Sequence, residues 1–95
     1  MTDEFNMLDT VMLAIGLKGN DYQKDTIQLY INEVEQYLLD AGVSEDLIGT
    51  EQTAGIVARG VLDLWNYNAG AGRLSTYFKE RAIQLSLKRG SENAS

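Results

Sequence analysis

The chain has 95 residues, which is the size of a single domain, and its hydrophobic fraction of 44% is ordinary for a globular fold. It contains neither cysteine nor histidine, which excludes disulfide frameworks, cysteine-based zinc sites and the usual serine or cysteine triads. The net charge of −6 opposes general binding to nucleic acid phosphates. We therefore expect a binding, assembly or structural protein that is not an enzyme and carries no cofactor.

Charge is divided unequally along the chain. Residues 1–72 contain three basic and twelve acidic side chains, a net charge of −9, whereas residues 73–95 contain five basic and two acidic ones, a net charge of +3. The basic final quarter suits an acidic surface on another copy or on a separate partner. The alternative is that both parts are simply solvated faces.

The composition also bears on membranes. No apolar run approaches the ~20 residues that a membrane-spanning helix needs. The acidic start at residues 1–4 is not that of a signal peptide. We expect no membrane association.

Apolar positions that recur every three or four residues predict the first two helices. The first spans about residues 3–15 and ends at Gly16, where a left-handed residue suits a helix end. Its apolar seam contains Phe5, Leu8, Met12 and Ile15. The second, the spine of the fold, starts at Asn20 or Asp21 and ends at Gly42. Its stripe contains Ile27, Tyr30, Ile31, Val34, Tyr37, Leu38 and Ala41.

A short turn and a third helix follow. Ser44 begins a single helical turn, and Thr50 caps a helix that extends to about residue 67. Its inner face contains Ile56, Val57, Val61, Leu64 and Trp65. Gly55 and Gly60 each weaken this helix by about 1 kcal/mol, so we expect them to permit close packing of another helix. Helices two and three together predict the core, formed by Ile31, Val34, Leu38, Val57, Val61 and Leu64.

The last part of the chain contains a loop, a fourth helix and a tail. Residues 66–72 form the loop, and Ser75 suits the cap of the fourth helix. Residues 82–87 also alternate with a period of two, so a strand is the alternative for them. The prediction is an all-α bundle of about four helices over residues 1–89, with a flexible, disordered tail at residues 90–95.

Tests for specific chemistry fail. Gly70 and Gly72 lie two apart and follow a helix, unlike the glycines of a phosphate-binding loop. Glu33 and Glu35 lie two apart on a helix and point away from each other. No aspartate spacing matches a calcium loop, so no metal site is predicted.

Aromatic and arginine side chains cluster late in the chain. The cluster contains Trp65, Tyr67, Tyr77 and Phe78, with Arg59, Arg73 and Arg81 near them in the sequence. These residue types are enriched at protein interfaces. The competing interpretation places Trp65 and Phe78 in the core and the tyrosines at its rim. We favour the core for Trp65 and an interface for Tyr67 and Arg73.

One pattern in this region is specific enough to compare with a family. Leu-Ser-x-x-Phe-x-x-Arg-x-x-Gln-Leu is matched by Leu74, Ser75, Phe78, Arg81, Gln84 and Leu85, and Leu62, Trp65 and Asn66 lie in the preceding helix. Together with the helix layout, this pattern resembles the small head–tail connector proteins of long-tailed bacteriophages, also called adaptor or head completion proteins. The resemblance covers most of the chain.

The resemblance implies an all-α subunit that forms a ring, usually a dodecamer, below the portal protein. Such a ring joins the DNA-filled head to the tail, contacts a downstream stopper or tail-completion protein, and surrounds the DNA without sequence-specific binding. It implies a location at the head–tail interface of the virion, and in the host cytoplasm during assembly. It also implies no catalysis, no cofactor, and an isolated subunit that can be monomeric and change conformation on assembly.

The candidate interface with another copy or with the portal comprises Tyr67, Arg73, Tyr77, Lys79, Arg81, Lys88 and Arg89. We expect residues 73–89 to dock on an acidic face, with Tyr77 and Phe78 supplying desolvated contact. Gly70 and Gly72 are the candidate hinge that reorients this segment.

Three alternatives stay open at this point. The basic segment can instead fold back permanently on its own acidic body. The protein can be a small acidic helical regulator that binds a single host protein. The weakest alternative is a helix-turn-helix DNA-binding protein, because only Arg59 gives the third helix a basic residue.

Overall fold

The computed structural model describes residues 5–66 and 74–87, and within these ranges it consists of α-helices and turns without a strand. Its helices are α1 (Met7–Ala14), α2 (Lys24–Asp40), α3 (Glu51–Asn66) and α4 (Thr76–Ser86), and a 3-10 turn (Asp21–Gln23) precedes α2. The prediction of a small all-α fold is confirmed. The predicted tail at residues 90–95 lies outside the described residues.

The helix ends follow the local signals in most places. Gly16 and Gly42 have φ of 84° and 100°, so each takes the left-handed conformation that ends a helix. Thr50 Oγ1 accepts a hydrogen bond from the nitrogen of Gln52 at 3.2 Å, which confirms it as the cap of α3. Ser44 Oγ likewise accepts a hydrogen bond from the nitrogen of Asp46, in the turn that follows it.

Two predicted boundaries are wrong. α1 does not begin near residue 3, because Asn6 is extended and its side chain caps the helix by accepting from the nitrogen of Asp9. Asn20 makes no capping hydrogen bond with its side chain, and the 3-10 turn joins it to α2. The ambiguity at residues 82–87 is resolved, because α4 continues to Ser86.

The core lies mainly between α2 and α3. All six predicted core residues are buried there, which confirms that set. Of the other apolar residues predicted for the inner face of α2, Tyr30 and Tyr37 are half-buried and Ala41 is exposed beyond the end of the helix. Trp65 is half-buried and packs edge-on against Tyr30 at 6.4 Å between ring centroids, so it packs against the core without lying inside it, which meets the expectation only in part. The remaining buried apolar residues are Val11, Met12, Ile27, Val43, Leu47, Ile56, Ala58, Phe78 and Ala82.

The central helix is α3 rather than α2. α1, α2 and α4 all pack on α3, although α2 is longer by one residue. Val11 and Met12 are the buried residues of α1, whereas Leu8 and Ile15 of the predicted seam are only half-buried. None of the helices in the described ranges combines the length and the apolar character needed to cross a bilayer.

The two glycines of α3 have different roles. A Cβ placed on Gly60 would lie 2.8 Å from Phe78 Cε1 and 2.9 Å from each Cγ of Val34, so α2 and α4 pack closely there. A Cβ on Gly55 would meet nothing within 4 Å, so the expectation of close packing is wrong for Gly55. The difference arises because Gly60 lies on the inward face of α3 and Gly55 on its exposed face.

Candidate functional site

Phe78 attaches α4 to the rest of the domain. Its ring is fully buried and packs edge-on against Tyr37 at 5.5 Å between centroids. Ala82, one helical turn later, is also fully buried. The expectation that Phe78 supplies contact with another molecule is therefore wrong, because its position on α4 faces the core while Tyr77 faces outward.

A buried carboxylate fixes where α4 begins. Asp63 Oδ2 accepts a hydrogen bond from the nitrogen of Ser75 at 3.1 Å, and its Oδ1 lies 3.6 Å from Arg59 Nε. Ser75 Oγ in turn accepts from the nitrogen of Phe78 at 3.1 Å, which confirms the predicted cap. The Asp63 carboxylate therefore joins α3 to the start of α4.

A groove of about 320 Å³ runs between α3 and α4. It is lined by Gln52, Gly55, Ile56, Arg59, Tyr77, Arg81 and Leu85. The three α4 residues recur at intervals of four and share one face of that helix. Ile56 and Leu85 give the groove an apolar floor, and Gly55 leaves open space beside them.

Two guanidinium groups and a phenol ring form the rim of this groove. The Arg59 guanidinium lies 5.2 Å from the centroid of the Tyr77 ring, a cation–π geometry, and Tyr77 is 55% exposed. Arg81 Nη1 donates a hydrogen bond to Gln84 Oε1 at 3.2 Å. Within residues 5–66 and 74–87, Arg81 forms no salt bridge, whereas Arg59 pairs with Asp63. Arg81 therefore offers a positive charge that no described carboxylate neutralises.

The structure divides the predicted interface residues between two faces of α4. Tyr77 and Arg81 lie in the groove. Lys79 lies outside it, in register with Ile83 and Leu87 at intervals of four, and all three are exposed. The other candidates fall outside the described residues, namely Tyr67, Arg73, Lys88, Arg89 and the hinge glycines Gly70 and Gly72.

Most residues of the pattern Leu-Ser-x-x-Phe-x-x-Arg-x-x-Gln-Leu, which we call the connector-like motif, serve the folding of α4. Ser75 caps the helix, Phe78 is in the core, and Leu74 and Leu85 pack against the core. Arg81 and Gln84 differ, because they are exposed and bond to each other. This pair is therefore the part of the motif that is free to recognise another molecule.

Two residues of the site were missed by sequence reasoning. Asp63 was counted only as one more acid, although its position between Val61 and Leu64 on an apolar face signals a buried carboxylate that needs a partner. Arg59 was not among the candidate interface residues, although its interval of four from Gly55 places both on one face of the helix. Among the described residues, no group of three or more acidic side chains is arranged to hold a metal ion.

No protein-family model, curated protein or solved structure matches the chain. The fold and the groove together define a class: a small all-α domain with an acidic chain and, among the described residues, a basic groove rimmed by an aromatic ring.

Proposed function

We propose that the protein is a structural subunit of a bacteriophage head–tail connector. Its copies form a ring, usually dodecameric, below the portal, which joins the DNA-filled head to the tail and surrounds the DNA exit channel. The observation that carries the proposal is the groove in which Tyr77 lies beside Arg59 and Arg81, on a chain whose net charge is −6. The connector-like motif supports the same function, since Arg81 and Gln84 remain exposed in it.

A ring of identical subunits needs two different surfaces that fit each other, because each copy meets its two neighbours through opposite sides. The basic groove is one such surface, and an acidic face elsewhere on the chain is the other. Tyr77 and Arg81 belong to residue types that are enriched where interface energy is concentrated. The groove can therefore receive an acidic surface of the next copy or of the portal.

Charge alone does not hold such a ring together. Exposed ion pairs contribute only about 0–1 kcal/mol each, so an isolated subunit at low concentration is expected to be monomeric. The high local concentration of subunits bound at the portal then drives ring closure by mass action. The portal and a downstream stopper or tail-completion protein are the proposed partners. The DNA passes through the ring without sequence-specific binding.

The hinge at Gly70 and Gly72 remains a prediction. Moving α4 about such a hinge would cost free energy, because α4 is packed on the rest of the domain. Swinging α4 away from the domain would expose Phe78, whose burial contributes roughly 1.5–3 kcal/mol. It would also break the hydrogen bond between Asp63 and Ser75. A partner must offset both losses if α4 reorients on assembly.

The deciding experiment reverses one charge at a time on α4. Arg81→Glu is compared with Lys79→Glu, which makes the same charge change outside the groove. The melting temperature is measured for each, and native mass spectrometry and cryo-electron microscopy record rings formed with the portal protein. Arg81→Glu should weaken ring formation without lowering the melting temperature, while Lys79→Glu should leave ring formation unchanged.

Two outcomes would contradict the proposal. The first is normal assembly of Arg81→Glu, and the second is a wild-type protein that forms no ring with the portal at any concentration. A one-to-one complex with a single host protein, in place of a ring, would favour the alternative function of a small acidic regulator. Double reversal with Arg73→Glu tests whether the basic segment acts as a unit.

A further inference from the structure

The outer face of α2 carries an exposed leucine between two carboxylates. Asp25, Leu29 and Glu33 recur at intervals of four, so they form one stripe along the helix, and all three are exposed. Leu29 is 66% exposed, whereas Ile27 and Ile31 on the opposite face are buried in the core. We call Asp25, Leu29 and Glu33 the α2 stripe. The leucine at the centre of this stripe has no partner among the described residues, and a carboxylate lies on each side of it.

The α3–α4 groove has the inverse pattern. Its centre is apolar at Ile56 and Leu85, and its rim carries the guanidinium groups of Arg59 and Arg81. Gly55 leaves open space above the floor, where a side chain from outside can enter. A leucine between two carboxylates therefore matches this groove in both polarity and charge.

We propose that the α2 stripe of one copy docks in the α3–α4 groove of the next copy. Leu29 enters the space beside Gly55, and the two carboxylates of the stripe face Arg59 and Arg81. This inference rests on the proposed ring and names the two surfaces that build it. A second copy is favoured as the occupant because this chain itself carries the complementary stripe on a different helix.

The geometry of this contact suits a closed ring. The stripe lies on α2 and the groove lies between α3 and α4, so the two surfaces differ and the contact is head-to-tail. Each copy then keeps a free stripe and a free groove until the last copy joins. Asp25 and Glu33 are about 12 Å apart along the helix axis, since each residue rises about 1.5 Å, which leaves room for Leu29 to enter between the two ion pairs.

The test traps the contact with a pair of cysteines. Leu29→Cys and Gly55→Cys are introduced in the same chain, which has no cysteine of its own, so every disulfide reports a designed position. Both sites accept the change, because Leu29 is exposed and an added Cβ at Gly55 meets nothing within 4 Å. Oxidation over a range of protein concentrations should give a ladder of covalent oligomers.

The matched control pairs Gly55→Cys with Leu13→Cys, since Leu13 of α1 is 61% exposed, similar to Leu29. Cross-linking of the control pair should be at least about tenfold weaker, the ratio that 1.4 kcal/mol of specific contact gives. Equal cross-linking of the two pairs, or none in the stripe–groove pair, would overturn the docking. Arg81→Glu should weaken the ladder, and adding Glu33→Arg or Asp25→Arg should restore it.

The outcomes separate this inference from the proposed function. If the variant with Leu29→Cys and Gly55→Cys forms rings on the portal but no cross-links between neighbours, the docking proposal is wrong and the connector function stands. A specific ladder from a protein that forms no ring with the portal would do the opposite. Failure of both assays would remove both proposals.

Discussion

The carboxylate of Asp63 accepts a hydrogen bond from the backbone nitrogen of Ser75 at 3.1 Å, and this bond joins α3 to the start of α4. The same side chain, only 11% exposed, lies 3.6 Å from Arg59. Arg59 in turn lies over the ring of Tyr77. One buried acid thus positions both the helix that forms one wall of the groove and an arginine on its rim.

Replacing Asp63 tests this role directly. Asp63→Ala leaves the nitrogen of Ser75 without its acceptor, so unfolding free energy should fall by about 1–3 kcal/mol. Asp63→Asn is the control, because its amide oxygen can still accept that bond, and its loss should be smaller. Denaturant titration measures both. Equal losses would indicate that the charge opposite Arg59 matters more than the hydrogen bond to Ser75.

The two glycines of α3 predict opposite effects of one substitution. Gly55→Ala should stabilise the protein by about 0.5–1 kcal/mol, because the new methyl group meets no neighbour and alanine favours helix. Gly60→Ala should destabilise it by about 1–3 kcal/mol, because the methyl group would collide with Phe78 and Val34. Thermal melts of the two variants, measured together, check the pair. A stabilising Gly60→Ala would mean that α2 and α4 do not pack this closely on α3.

The core between α2 and α3 makes its own prediction. Leu38→Ala or Leu64→Ala should each lower the unfolding free energy by ~2–5 kcal/mol, since each removes a buried side chain and leaves a cavity. That is a large part of the stability of a small domain. Leu13→Ala, at an exposed position, should stay within about 0.5 kcal/mol of wild type. Urea unfolding followed by circular dichroism distinguishes the three variants.

Glu35 predicts a dependence on pH. Partial burial raises the pKa of this carboxyl above its ordinary value of 4.5, so between the two values the folded state binds more protons than the unfolded state. Its contribution to stability therefore falls as the pH rises through that interval, and the penalty is complete above it. Glu35→Gln should raise the melting temperature at pH 7, and the gain should shrink as the pH falls through that interval and vanish below 4.5.

The control for this titration lies on the same helix. Glu33→Gln removes an equal charge from an exposed position, where there is no burial to relieve. Its effect on the melting temperature at pH 7 should be smaller than that of Glu35→Gln. A gain for Glu35→Gln that persists unchanged at low pH would contradict burial as its cause.

Local signals in the sequence were enough to predict the helices and much of the core. Apolar residues at intervals of three and four predicted α1 and α2, because a helix buries one face and the pattern repeats with its turn. Gly42 ended α2 and Ser75 capped α4 as expected, since these residues act within one turn of their own position. The head–tail connector function was also proposed from the sequence, and it stays a prediction.

The tertiary structure alone decided which faces of the helices meet. Gly55 and Gly60 look alike in the sequence, and so do Lys79 and Arg81, but each pair divides between different environments. Tyr77 and Phe78 were both expected to supply contact with another molecule, but the packing of α4 on α3 places the ring of Phe78 inside and that of Tyr77 on the groove rim. The physical reason is that periodicity predicts only that a helix has a buried face. The helices packed around it determine how far that face extends and which polar groups, such as Asp63, find partners.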